Sequence, residues 1–190
     1  MMTCQQLAGN FFRFGETGGQ SGTVQDMQQD VPWLNDDEQK LWRAMMAAAK
    51  AVDRAMDTRL LATEEISSAD FSVLVSLSES ETGMVRMREL CENLRWDRSR
   101  MSHQITRMEK RGLVTKVRCA SDSRGVDVEL TSHGRDVIER AAPDHVRMIR
   151  SIVFDVLDGI DGLDRAAALN ALQSVTAASE EFRGKTLAEQ

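Results

Sequence analysis

The chain has 190 residues, a net charge of −6 and 42 % hydrophobic content, enough to fill an ordinary soluble core in one domain or two small ones. No run of about 18 apolar residues spans a membrane, and the first residues have neither the basic start nor the apolar stretch of a secretory signal. The odd, widely spaced cysteines Cys4, Cys91 and Cys119 suggest a reducing, cytoplasmic setting rather than a disulfide framework, and no zinc signature, phosphate loop or activated nucleophile supports an enzyme.

Residues 1–30 are rich in Gly, Gln and Thr without periodicity and read as a disordered leader, with Met27 an alternative start. Asp36 and Asp37 then precede an amphipathic run (Leu41, Met45, Ala48, Val52, Met56, Leu60), predicting an N-terminal dimerisation helix within 31–66. Ser67 to Asp70 reads as a helix cap, opening a helix through Phe71, Leu74, Val75 and Leu77. After Gly83 comes a short helix over 86–94, then a basic helix starting at Asp97 or Arg98. Val114 and Val117, then Val126, Val128 and Leu130, flank a polar tip at 120–125, the pattern of a hairpin. Another helix starts at Thr131, and Pro143 either kinks it or breaks it near Ala142. Gly159 and Gly162 mark a loop. A last helix carries Ala166, Leu169, Leu172, Val175 and Phe182, with 184–190 as a tail.

The fold class predicted is mainly α with a small β-hairpin wing. A winged helix-turn-helix lobe over 67–131 sits between an N-terminal helix and C-terminal dimerisation helices over 132–183. The helices outside the lobe carry apolar stripes that a single winged helix cannot cover, and a second copy of the chain would bury them.

Charge supports the motif. Residues 86–125 hold eleven Lys/Arg against five acids, a balance of +6, so the rest of the chain sums to −12. Such concentration suits a polyanion partner, double-stranded DNA, met at one place and repelled elsewhere. On the basic helix Ser99, Ser102, His103 and Thr106 share a face flanked by Arg98 and Arg100, with Arg107 projecting as well, while Met101, Ile105 and Met108 point inward. Arginine grips guanine O6 and N7 with two hydrogen bonds, and serine hydroxyls suit phosphates. Arg124 at the hairpin tip is the minor-groove probe, and Asp122 either holds Arg124 or a neighbour such as Arg118, or merely bonds its own turn.

Three segments, MRELCENLRWDRSRMSHQITRMEKRGLV, the Asp122-Ser123-Arg124 tip and VELTSHGRDVIERAAPDHV, resemble the MarR family of transcriptional regulators over about residues 36–182. The resemblance implies a homodimer with intertwined terminal helices, one winged helix per subunit on a pseudo-palindromic operator, and a ligand cleft between the dimer region and the DNA-reading lobe. Trp33 and Trp42 either anchor the first helix or the dimer or border that cleft, and His145 either faces the cleft or is structural; the ligand expected is a small aromatic or phenolic molecule. Trp96 is expected to fix the turn before the reading helix by packing. Cys91 reads as a small buried hydrophobe. Cys119, near Lys116 and Arg118, is the redox candidate, because cationic neighbours favour thiolate.

The function expected is a homodimeric repressor released by a small molecule, with half-sites about one helical turn apart. A thiol-based redox regulator of the same fold, or a winged-helix interaction module that does not bind DNA, are the alternatives.

Overall fold

The computed structural model describes residues 33–118 and 125–188. The wing tip, with Asp122, Arg124 and Cys119, and the leader, with Met27 and Cys4, lie outside the described residues. The chain divides into two units, residues 1–44 and 45–190, with the division inside helix α1 (Asp36–Glu64).

In the first unit, Asn35 caps α1 ahead of Asp36 and Asp37. Its side-chain oxygen accepts from the backbone N–H groups of Asp37 (3.0 Å) and Glu38 (2.9 Å), and the Glu38 carboxylate accepts from Asn35 N–H. This reciprocal box, with three acids in the first turn, satisfies the exposed amides at the positive end of the helix.

The second unit holds the core. Helix α2 (Ser68–Ser78) opens with a reciprocal cap between Ser67 and Asp70 and buries Phe71, Val73, Leu74 and Leu77. Strand β1 (Met84–Arg86) leads into α3 (Met87–Leu94), a tight turn follows, and α4 (Arg98–Lys110) begins with Asp97 as its N-cap. Strands β2 (Val114–Arg118) and β3 (Val126–Leu130) form the wing. The expected two-stranded hairpin is a three-stranded antiparallel sheet in the order β1-β3-β2, pairing Arg86 with Asp127 and Arg118 with Val126. Three residues of strand are too few to show alternation, so Met84 and Val85 carry no strand signal in the sequence and Arg86 falls in the predicted helix at 86–94.

Helix α5 (Ser132–Ile149) passes through Pro143 without ending there, so of the two outcomes expected at Pro143 the break near Ala142 does not occur. One π-helical turn (Arg150–Phe154) and a short α6 (Asp155–Asp158) extend it before Gly159. Helix α7 (Arg165–Ala188) runs past Gly184 into the expected tail. Of its apolar residues, Leu169, Leu172, Val175 and Phe182 are exposed, Phe182 at 75 %. The second-unit part of α1 is tied to α5 by ion pairs, Arg59 with Asp144 and Arg140 with Glu64.

One cluster gathers Leu60 of α1, the inner faces of α2, α3 and α4, Val114 and Val128 of the sheet, and Val137, Ile138 and Ala141 of α5. The start of α5 is the tightest joint. Thr131 caps it, its hydroxyl accepting from Gly134 N–H (2.9 Å) and donating to the Gly112 carbonyl (2.6 Å). A Cβ on Gly134 would lie 2.0 Å from the Leu113 carbonyl oxygen, which is backbone and cannot turn aside. Gly134→Ala is therefore expected to cost about 2 kcal/mol or more of stability. Urea unfolding measures it, and an unchanged midpoint would refute the close approach.

Candidate nucleic-acid interface

Helix α4 presents two chemically opposite faces. Met101, Gln104, Ile105 and Met108 are buried. Arg98, Ser99, Arg100, Ser102, His103 and Arg107 are exposed. The division follows from 3.6 residues per turn, which puts positions three and four apart on one side. All six exposed residues were expected on that face. Thr106, expected with them, is only half-exposed and already occupied, its hydroxyl donating to the Ser102 carbonyl (2.8 Å) and accepting from Lys116 Nζ (2.9 Å).

The turn before α4 is held by its own residues. Arg95 closes α3 in the left-handed region (φ 53°), a conformation costly for a residue with a Cβ. Its N–H and that of Trp96 return to the last carbonyls of α3. Trp96 packs partly against the core, as expected, and its ring lies 4.2 Å below the Arg100 guanidinium. That stacking, unpredicted from the sequence, restrains a long cationic side chain at the start of the reading helix. Asp97 then caps α4 by accepting from Arg100 N–H (2.8 Å).

The wing is fastened to α4 from the other side. Lys116 on β2 pairs with Glu109 (3.0 Å), and Glu109 also accepts the Lys116 backbone N–H (3.1 Å). These bonds hold the Glu109 carboxyl below the usual carboxylate range. Between α3, α4 and the base of the wing lies a groove of about 430 Å³ lined by Arg86, Arg88, Cys91, Arg98, Ser102 and Val126. Cys91 is half-buried against the core, and burial pushes its thiol up, away from the reactive thiolate form.

The ligand candidates stand apart in their chemistry. Trp33 and Trp42, in the first unit, are exposed. His145, in the second, packs against Phe71 of α2 in a tilted ring contact, with ring centroids 4.6 Å apart and an interplanar angle of 42°, and its buried Nδ1 has no hydrogen-bond partner among the described residues.

The comparisons with known proteins agree with this architecture. A family model described as transcriptional regulator SarA/Rot matches residues 59–141. AbsC, a MarR family transcriptional regulator from Streptomyces coelicolor, is 32 % identical, its structure covering 81 % of this chain and 99 % of its own with a TM-score of 0.71. The chain belongs to the MarR family. Sco3205, another MarR family regulator from Streptomyces coelicolor, solved in complex with DNA, is also 32 % identical, with 80 % and 92 % covered and a TM-score of 0.70. The HTH-type transcriptional regulator PecS of Dickeya dadantii (strain 3937) is 22 % identical over 134 residues, 70 % of this chain and 80 % of PecS. This MarR family member is thus a transcriptional regulator, with the winged helix predicted from its sequence.

Burial lowers the pKa of His145 below its ordinary value of 6.5. The folded state therefore prefers the neutral imidazole, and the unfolded state binds the proton first as pH falls. The contribution is present above about pH 6.5 and is lost as pH drops through the lower folded value. Thermal melts should show the wild type losing more stability than His145→Gln between pH 7 and pH 5, and parallel losses would refute it.

Proposed function

We propose that this regulator is a homodimer that binds an inverted-repeat operator through α4 and the wing, and represses transcription until a small molecule releases it. The observation that carries the reading is the outer face of α4. Arg98, Ser99, Arg100, Ser102, His103 and Arg107 project from a helix whose inner face is locked into the core. They lie in the segment 86–125, where eleven Lys/Arg against five acids give an acidic chain a local balance of +6. Arg and Ser at the start of an exposed helix supply base-edge and phosphate contacts, and a basic face outside an acidic body steers the duplex to that side. Sco3205, solved in complex with DNA, supports the same use of the fold.

Dimerisation is supported by α7, whose apolar side chains Leu169, Leu172, Val175 and Phe182 lie exposed on the isolated chain. Exposed apolar stripes of this kind are buried by self-association, and a twofold partner would set two reading helices about one duplex turn apart. Release follows from population shift. A molecule that prefers a dimer with a different helix spacing lowers operator affinity by that preference alone. The small aromatic or phenolic class stays the proposed ligand, with Trp33, Trp42 and His145 as candidate contacts. Arg124 and Asp122 stay the proposed wing contacts, and Thr106 contributes through its tie to Lys116. Cys119 stays the residue to test for a redox alternative.

Sedimentation and duplex binding test the proposal together. The chain should sediment at twice its own mass, and operator affinity should fall about a thousandfold between 50 and 200 mM salt as phosphate contacts release counterions. Arg124→Ala should weaken binding at least about tenfold with folding unchanged. A single-chain mass, or an affinity indifferent to salt, would overturn the reading.

A further inference from the structure

We infer that Gln104 is a positioning residue for DNA contact, setting the orientation of Arg107 while Asp70 sets the orientation of Gln104. The inference rests on the DNA-binding function proposed above.

Both residues are polar groups where a core residue would be expected, Gln104 at 3 % and Asp70 at 4 % exposure. Burial of such groups is costly unless every polar atom finds a partner. Here the partners form a directed chain. The Asp70 carboxylate accepts from Ser67 N–H and Ser67 Oγ (2.9 Å each), from Arg111 Nη1 (2.8 Å) and from Gln104 Nε2 (2.6 Å). The Arg111 guanidinium also donates to the carbonyl of Glu65, the left-handed residue (φ 57°) at the corner between α1 and α2.

A carboxylate facing a guanidinium can only accept, so the amide nitrogen of Gln104 must turn toward Asp70. Its carbonyl oxygen is thereby turned the other way, and there it accepts from Arg107 Nη2. Arg107 can only donate, so the polarity of the whole row is determined from its buried end. Arg107 lies on the exposed face of α4, where an untethered arginine would lose considerable rotamer freedom on docking. The Gln104 carbonyl holds it in advance. The two unbranched side chains nearest to it in size each lose one end of the row. Glutamate at 104 would set carboxylate against carboxylate, and methionine would fill the volume with no acceptor for Arg107.

A positioning role differs from a structural one in where its effect disappears. The probe is the duplex that the full-length protein selects from a random-sequence pool, and affinities are compared for wild type, Gln104→Met, Arg107→Ala and the double variant. Gln104→Met should weaken binding about fivefold to tenfold in the wild-type background and less than about twofold once Arg107 is alanine. Equal loss in both backgrounds would overturn the positioning role and leave DNA binding intact. So would an Arg107→Ala variant that binds as well as wild type. If the wild type selects no duplex, the DNA-binding function itself fails and the inference falls with it. Should Gln104→Met not fold, Gln104→Asn, which keeps the amide but shortens its reach, carries the same comparison.

Discussion

The burial of one side of α4 is the constraint on which the rest of the structure depends. Met101, Ile105 and Met108 are fully buried, each removing apolar surface worth about 1.5–3 kcal/mol from water. Exposed ion pairs contribute far less, typically under about 1 kcal/mol. The rotation of α4 about its own axis is therefore decided by apolar packing. Its charged residues go where the packing leaves them, and the same rotation that hides three apolar side chains projects Arg98, Ser102, His103 and Arg107 together.

Neighbouring elements convert that rotation into a defined placement. Helix α2 supplies both the apolar floor, through Phe71, Leu74 and Leu77, and the buried carboxylate of Asp70 at its capped end. The wing is bound to α4 through Lys116 and Glu109, and the first turn of α5 closes against the Leu113 carbonyl beneath Gly134. Core burial supplies most of the energy, while the polar bonds select one arrangement among the compact alternatives. Ion pairs from Arg59 and Arg140 join the second-unit part of α1 to α5, and both contribute to the core that also buries the inner face of α4.

Much of this was legible in the residues. Ser67 and Thr131 announced their helices by side-chain capping, as did Asp97, one of the two expected starts for α4, and the apolar spacing of Met101, Ile105 and Met108 gave its inner face. What escaped was set by tertiary contact. Strand β1 exists because β3 offers it a partner. Arg95 occupies a left-handed turn that local preference would give to glycine. Pro143, exposed, lies inside a continuous α5, where a break was one of the two outcomes that local preference allowed. Gln104 carried an overlooked signal. It lies three residues after Met101 and four before Met108, so a polar residue sat on the inward face and called for a buried partner. Asp70 gave no comparable sign, because its place in the cap accounted for it already.

The most direct test of the account is to map backbone amide shifts as a selected duplex is titrated into the full-length protein. If α4 is the groove-facing element, the largest changes cluster on residues 97–107 and on the wing between β2 and β3. Changes centred instead on the exposed apolar side of α7, with α4 silent, would contradict it.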